Sequence, residues 1–169
     1  MNLRSVGMIM LVVACAAPAF AQQPVRPQQD LRQQIEAAVD SYIQAFNKEE
    51  AQTVVGLYAP DGIAINSRWG MVTGKDSIEQ QLRGDFKNRP NARATVTVDQ
   101  VQALGRDAAL AAGPFTVTVP GNEFHGSFAL VFEREGEAWK LHLSTFTRQI
   151  NPAGVAGSAA TATEGQSKR

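Results

Sequence analysis

The sequence has little cysteine, little histidine and no excess of charge of either sign. Lys and Arg total 16 of its 169 residues, and so do Asp and Glu. Because nucleic-acid-binding domains normally carry a basic excess or a basic stripe, this balance excludes nucleic acid as a partner. The sequence also contains no polybasic cluster of the kind that binds a membrane surface. The only cysteine, Cys15, cannot form a disulfide within the chain, which suits an oxidising compartment.

Motifs for several kinds of chemistry are also missing from the sequence. It contains no glycine-rich phosphate loop, no serine nucleophile elbow and no reactive-cysteine motif. Glu123 and His125 place two ligand types on one strand face, but two ligands do not make a zinc site. We therefore predict no metal and no cofactor. His125 and His142 alternate with the large apolar residues, so we expect them to face solvent or a subunit interface.

The first 21 residues predict a signal peptide. Arg4 is followed by an apolar segment over residues 7–17, which is too short to span a bilayer. Residues 19–21 form an Ala-Phe-Ala cleavage pattern, so we expect cleavage after Ala21 and an exported protein, periplasmic or secreted. The alternative is a lipid anchor on Cys15. We favour cleavage after Ala21, because the lipid-anchor interpretation leaves a very short apolar segment.

Composition predicts one globular domain between two polar ends. Apolar residues make up 44% of the chain and charged residues 19%, an ordinary globular balance. Residues 22–29 are rich in Gln and Pro and predict a linker. Residues 151–169 are rich in Ala, Gly, Thr and Ser, and predict a disordered tail. The predicted domain therefore covers residues 30–150.

Three segments in the first half of this domain have helical spacing. The first is expected to begin at Asp30 as N-cap, with one apolar face formed by Leu31, Ile35, Val39, Tyr42 and Phe46. The second is expected to run from about Glu49 to Pro60. The third lies between Gly74 and Pro90, and its apolar face comprises Ile78, Leu82 and Phe86.

The second half of the domain has the alternating pattern of strands. A short strand pair at 63–66 and 69–72 precedes the third helix, and four long strands follow it as an antiparallel meander. Apolar parity switches within the first long strand, which predicts a β-bulge near Asp99 and Gln100. We expect turns at 105–107, 120–122 and 135–137. The fold class is therefore α+β, with a curved antiparallel sheet covered by three helices and a hollow between the layers.

Three stretches of the sequence resemble the nuclear transport factor 2-like superfamily, which includes ketosteroid isomerase, scytalone dehydratase and the SnoaL polyketide cyclases. They are residues 42–47 with 55–62, the Gly-Lys-Asp-Ser-Ile of 74–78, and the strand–Gly–Trp-Lys-Leu hairpin of 132–141. The resemblance implies a cone-shaped fold and a homodimer formed through the outer sheet face. It implies little about activity, because this fold hosts enzymes and non-enzymes alike.

The resemblance also lets the ketosteroid isomerase roles be tested residue by residue. Tyr42 matches the position of the family's oxyanion tyrosine. The position of the catalytic base falls on Asn66, whose amide cannot take a proton at neutral pH, and the acid position falls near Ala129 or Leu130. Because two of three roles lack a suitable residue, steroid-type isomerisation is excluded.

The expected hollow has six candidate lining residues, which are Tyr42, Tyr58, Asn66, Trp69, Phe115 and Phe128. We expect an exported protein that binds a small apolar molecule there, with Trp69 either stacking on the ligand or covering the core. One alternative is a SnoaL-type lyase or isomerase using Tyr42 with Asn66 or a histidine. Another is a protein-interaction module that uses the sheet face and has no pocket.

Overall fold

The computed structural model describes residues 26–149, which form three helices and seven strands. The helices are α1 (Arg26–Asn47), α2 (Ala51–Gly56) and α3 (Lys75–Asn88). The strands are β1 (Tyr58–Asn66), β2 (Gly70–Thr73), β3 (Arg93–Val96), β4 (Gln100–Ala103), β5 (Ala108–Val119), β6 (Asn122–Glu135) and β7 (Ala138–Arg148). The predicted α+β class is confirmed.

The sheet is curved and unclosed, and its long strands form the predicted meander. Its order is β2-β1-β7-β6-β5-β3, and β4 pairs with β5 beside β3. The strand pair β1–β2 is antiparallel, as the sequence predicts. However, β1 also pairs with β7 in parallel, so the sheet is mixed rather than wholly antiparallel. This pairing attaches the predicted short strand pair to the end of the meander and makes one continuous sheet.

The helices bury the faces that their spacing predicts. In α1, Ile35, Val39 and Tyr42 are buried, and Leu31 and Phe46 pack at the margin of the core. In α3, which Gly74 precedes as expected, the buried residues include Ile78, Leu82 and Phe86. The carboxamide of Asn47 accepts a hydrogen bond from the Ala94 N–H (2.6 Å) and donates one to the Ala94 carbonyl (2.9 Å). This pair fixes the end of α1 against β3.

Two helix boundaries differ from the prediction. α1 begins at Arg26, so Arg26–Gln29 are helical rather than linker, and Asp30 lies inside the helix instead of capping it. α2 ends at Gly56, and Tyr58 already belongs to β1. The reason for the second difference is tertiary: the Leu141 N–H donates to the Leu57 carbonyl (2.9 Å), which draws this segment into the sheet.

The predicted bulge appears as a break between two strands. β3 ends at Val96, β4 starts at Gln100, and both pair with β5. Between them, the Thr97 N–H donates to the Pro114 carbonyl (3.1 Å) and the Asp99 N–H donates to the Ala112 carbonyl (3.0 Å). The sheet therefore bends at the place where the apolar parity switches.

The turns lie where the sequence predicts them. Tight turns connect β5 to β6 and β6 to β7, and Gly121 and Gly136 adopt positive φ values of 79° and 62° there. Such values favour glycine, because it has no β-carbon. The predicted signal peptide, its cleavage site, linker residues 22–25 and the tail all lie outside the described residues. Within residues 26–149, no helix is long and apolar enough to cross a membrane.

Candidate functional site

A cavity of about 100 Å³ lies between the helices and the concave face of the sheet. α1 and α3 supply one wall, the β1–β2 turn lies at one end, and β3, β5, β6 and β7 form the opposite wall. Most of its lining is aliphatic or aromatic, and includes Ile43, Phe46, Leu82, Val96, Phe115 and Phe146. These side chains come from the apolar faces of their elements, so the same pattern that builds the core also lines the cavity.

Phe146 of β7 is the centre of an aromatic cluster in this wall. Its ring stacks on Tyr42 with a centroid separation of 5.9 Å and an interplanar angle of 15°. Phe115 meets it edge-on at 5.5 Å, and Phe128 lies tilted against it at 6.1 Å. Such aromatic pairs stabilise a fixed geometry beyond the area that they bury. The cluster gives the cavity a rigid, apolar interior.

Two buried tyrosines lie next to each other, Tyr42 in the cavity lining and Tyr58 behind it. Their ring centroids are 6.3 Å apart, and the Tyr58 hydroxyl shares a 2.7 Å hydrogen bond with the buried Ser144 hydroxyl. Burial raises the pKa of Tyr42 well above its ordinary value, and Tyr58 and the Asp85 carboxylate raise it further. Burial also raises the pKa of Tyr58, although its bond to Ser144 opposes the shift. Both phenols therefore stay protonated at neutral pH.

Asp85 of α3 brings a buried carboxylate to the cavity. One carboxylate oxygen accepts a hydrogen bond from the Arg68 Nε (3.2 Å), and the other accepts one from an Arg89 terminal nitrogen (2.8 Å). The side chains of Asp85 and Arg89 are 10% and 16% exposed, whereas that of Arg68 is 44% exposed. Because each oxygen is already bonded to a guanidinium, Asp85 is suited to orienting the arginines rather than to accepting a substrate proton.

Arg148, at the end of β7, lines the cavity without a carboxylate partner among residues 26–149. Its guanidinium lies 4.0 Å from the centroid of the Phe124 ring. Trp69 and Arg89 also contribute donors to this region, since the Trp69 Nε1 and the Arg89 Nε are buried with no hydrogen-bond partner. The cavity thus combines an apolar interior with three arginines in its lining, Arg68, Arg89 and Arg148.

The structure brings four of the six predicted residues to the cavity and places two behind it. Tyr42, Asn66, Trp69 and Phe115 line it. The Asn66 carboxamide oxygen also accepts a hydrogen bond from the Arg68 N–H (2.9 Å), which shapes the turn after β1. Tyr58 and Phe128 are buried in the core and support the lining from the second layer.

The charged lining residues were not predicted as a group. Asp85 and Arg89 continue the stripe of α3 that carries Ile78 and Leu82, because the four positions recur at three- and four-residue steps. The position of a carboxylate on an apolar helical face could therefore have identified Asp85 as a site residue from the sequence. No comparable pattern in the sequence identifies Arg148, because its position at the cavity depends on the pairing of β7 with β1.

The histidines lie away from the cavity. His125 is exposed, and its ring contacts Thr116 (3.0 Å) and Glu123 (3.1 Å). His142 is partly buried, and its Nε2 lies 3.3 Å from Glu133. Neither ring contacts Asp99 or Asp107 in the part of the chain described. Residues 26–149 contain no cluster of three or more His, Cys, Asp or Glu side chains that could hold a metal ion.

A curved sheet, three covering helices and a cavity between them define a cone-shaped α+β pocket fold of the nuclear transport factor 2-like class. The chain belongs to the SnoaL-like domain family, whose sequence model matches residues 35–146. The predicted superfamily is thereby confirmed. A comparison with curated protein sequences finds no match.

Solved structures show the same fold at low sequence identity. A cystatin-like-fold domain of unknown function from Nostoc punctiforme is 16% identical, with a TM-score of 0.67 over 79% of this chain and 86% of that one. A ketosteroid isomerase-like protein from Erwinia carotovora is 17% identical, with a TM-score of 0.63 over 73% and 98%. A nuclear transport factor 2-like protein of unknown function from Shewanella oneidensis is 17% identical, with a TM-score of 0.58 over 68% and 97%. These similarities concern the fold.

Proposed function

We propose that this protein binds a small organic molecule whose apolar body enters the cavity. The observation that carries the proposal is the cavity itself, with aromatic and aliphatic walls and polar groups gathered in one part of its lining. Binding sites for small molecules commonly have this composition, since apolar walls supply affinity and a few polar groups set orientation. The SnoaL-like family supports a function of this general type.

The size of the cavity restricts the ligand. A volume of about 100 Å³ is of the order of the ~150 Å³ apolar cavity that takes up benzene in an engineered protein. One aromatic ring or a short branched chain therefore fits inside, and any larger part of the molecule would extend toward the exposed Arg68 side. A flat, multi-ring ligand would require the walls to move.

The test is isothermal titration calorimetry with two uncharged probes, benzyl alcohol and indole. A pocket-filling variant, Val96→Phe, puts bulk into the cavity, while Thr95→Phe adds the same bulk at the neighbouring exposed position of β3. We expect the wild type and Thr95→Phe to bind at least one probe and Val96→Phe to bind neither. Equal binding by both variants would place the ligand elsewhere, and absence of binding by the wild type would contradict the proposal.

A lyase or isomerase reaction in the same cavity is the second candidate. The observation in its favour is Tyr42, a lining residue whose hydroxyl remains protonated, as a donor to an oxyanion must. The histidine version of this alternative loses support, because neither ring lies at the cavity. A direct test is exchange of the α-protons of phenylacetone in D2O, followed by NMR, with solvent taking the proton and Tyr42 donating a hydrogen bond to the enolate oxygen. Enzyme-dependent exchange that is lost in Tyr42→Phe would favour catalysis over binding alone.

Export and dimerisation belong to the proposal on sequence grounds. The predicted signal peptide supports a periplasmic or secreted location, and the family resemblance supports a homodimer through the outer sheet face. The interaction-module alternative requires a filled core, and the cavity lined by Phe115 and Trp69 weighs against it. Light scattering of the mature protein tests the dimer: a molecular mass of one chain would contradict it.

A further inference from the structure

We infer that the molecule bound in this cavity carries a carboxylate, which arginine side chains in the lining recognise. The inference rests on the proposed binding function and adds the chemical class of the ligand: a monocarboxylic acid with an aromatic or short aliphatic body. The observations that carry it are the charge of the lining and the placement of two arginines whose terminal nitrogens are free of carboxylate partners in the described part of the chain.

The charge of the cavity differs from that of the whole chain. The chain has equal numbers of acidic and basic residues. The lining, in contrast, contains three arginines, Arg68, Arg89 and Arg148, and one carboxylate, Asp85. The lining therefore carries a formal charge of 3 − 1 = +2. This excess favours an anion over a cationic ligand, and solvent screens it in part because Arg68 and Arg148 are exposed.

The topology places Arg68 and Arg148 at the same end of neighbouring strands. β1 and β7 run parallel, and Asn66 pairs with Phe146 in their register. Each arginine follows its member of that pair by two residues. Adjacent strands lie about 4.8 Å apart, which is less than the length of an arginine side chain. The two guanidinium groups can therefore reach one anion at the end of the cavity.

Both arginines retain donors for that anion. Asp85 engages Arg68 through Nε, which leaves its terminal nitrogens without a carboxylate partner in the described chain. Arg148 presents its guanidinium to the Phe124 ring at 4.0 Å. A cation held over an aromatic face still has its in-plane N–H groups available, and these N–H groups match the two oxygens of a carboxylate.

Two unpaired buried donors on lining residues are compatible with this assignment. Trp69 Nε1 and Arg89 Nε both belong to lining residues, are buried, and have no partner in residues 26–149. Buried N–H groups in folded proteins are nearly always paired, because an unpaired buried donor has lost its hydrogen bond to water without a replacement. If Trp69 or Arg89 turns toward the cavity, an acceptor such as a carboxylate satisfies these donors, whereas a protonated amine has no acceptor to offer.

The arginines of the lining already bind one carboxylate, that of Asp85, through both of its oxygens. Asp85 receives one guanidinium on each of its oxygens. It thereby holds Arg68 and Arg89 at the cavity and leaves the remaining positive charge to a ligand. Phenylacetate fits the class, since its ring matches the aromatic interior and its carboxylate extends one carbon beyond the ring.

The experiment compares three probes of the same size by isothermal titration calorimetry: phenylacetate, the uncharged phenylacetamide and the cationic phenethylamine. The wild type is expected to bind phenylacetate about 10- to 100-fold more tightly than phenylacetamide, and phenethylamine most weakly, as charge-assisted hydrogen bonds predict. Arg148→Gln and Arg68→Gln should each remove most of this preference, because the ratio of the two affinities depends on the charge that each variant removes. Arg83→Gln, an exposed arginine of α3 paired with Glu79, is the matched control and should behave as the wild type.

The outcomes separate the inference from the proposed function. Equal affinity for the acid and the amide overturns the carboxylate inference but leaves small-molecule binding intact. Failure of the wild type to bind any probe, including benzyl alcohol and indole, overturns the proposed function as well. A preference for phenylacetate that survives in both Arg148→Gln and Arg68→Gln, with circular dichroism showing folded variants, overturns the assignment to these arginines.

Discussion

Gly113 packs its backbone against the carbonyl oxygen of Thr97, so that a β-carbon on Gly113 would overlap that oxygen. Thr97 lies in the break between β3 and β4, and Gly113 lies in the middle of β5. The neighbours of Gly113, Ala112 and Pro114, accept the two backbone hydrogen bonds that span the break. The bend that gives the sheet its concave face therefore depends on the absence of a side chain at this position.

Replacing Gly113 by alanine should destabilise the domain. Because the obstructing atom belongs to the backbone and cannot rotate away, we expect a loss of about 2 kcal/mol in the free energy of unfolding, in the range for overpacked interiors. Urea denaturation followed by circular dichroism measures it. Gly105→Ala is the control, since nothing lies within 4 Å of a β-carbon at Gly105. Equal midpoints for the two variants would contradict the close contact.

Neutralising Asp85 should destabilise the domain more than neutralising an exposed acid of the same helix. Asp85→Asn leaves Arg68 and Arg89 without their carboxylate, and we expect a loss of about 2 kcal/mol, reduced from the fully buried case because Arg68 is 44% exposed. Glu79→Gln removes the exposed pair with Arg83 and should cost less than about 0.5 kcal/mol. Thermal and urea unfolding of both variants give the comparison, and a similar small loss in each would argue against a buried ion cluster.

Stability should fall at high pH because two tyrosines are buried as phenols. A raised pKa in the folded state means that the native chain holds its protons when the unfolded chain, with an ordinary value of 10.0, releases them. The stabilisation is complete below about pH 10 and is lost as pH rises toward the folded pKa, by about 1.4 kcal/mol per pH unit for each tyrosine. Urea unfolding between pH 8 and 11 measures this slope.

Tyr42→Phe supplies the control for the pH prediction. The chain has two tyrosines, so this variant should retain only the contribution of Tyr58 and show a shallower decline above pH 10. Deprotonation of lysines affects both proteins alike and cancels in the difference. A decline of the same steepness in wild type and variant would show that Tyr42 is not the group that titrates.

The mature N-terminus should be Gln22. When the full chain is produced in a bacterial host with an intact export system, we expect intact mass spectrometry to show loss of residues 1–21, as the Ala-Phe-Ala pattern predicts. Cys15→Ser should be processed in the same way, whereas Ala21→Trp should retain the leader. A lipid-modified mass that disappears in Cys15→Ser would establish the anchored alternative instead.

Local patterns in the sequence were sufficient to predict much of the fold. The spacing of Ile78, Leu82 and Phe86 predicted the buried face of α3, and the glycine-containing turns predicted the hairpins. The parity switch near Asp99 predicted the bend, although the structure breaks the strand rather than bulging it. Each of these features depends on residues that are near one another in the chain.

Pairings between distant residues account for what could not be predicted. The Leu57 carbonyl bonds to the Leu141 N–H, and this long-range contact makes Tyr58 the start of a strand instead of the end of a helix. The charged part of the site also depends on a pairing between distant segments of the chain. Arg68 and Arg148 lie at the same end of the cavity because β1 and β7 are neighbours, and neither sequence segment contains information about the other.

The parallel pairing of β1 with β7 also has a consequence for biosynthesis. A ribosome completes β1 long before it completes β7. The hairpin of β1 and β2 therefore has no sheet to join until the last strand of the domain has been made. Contacts of such sequence separation form late and slowly. The cavity takes Asn66 from β1 and Phe146 and Arg148 from β7, so its lining is complete only after the last strand of the domain has joined the sheet.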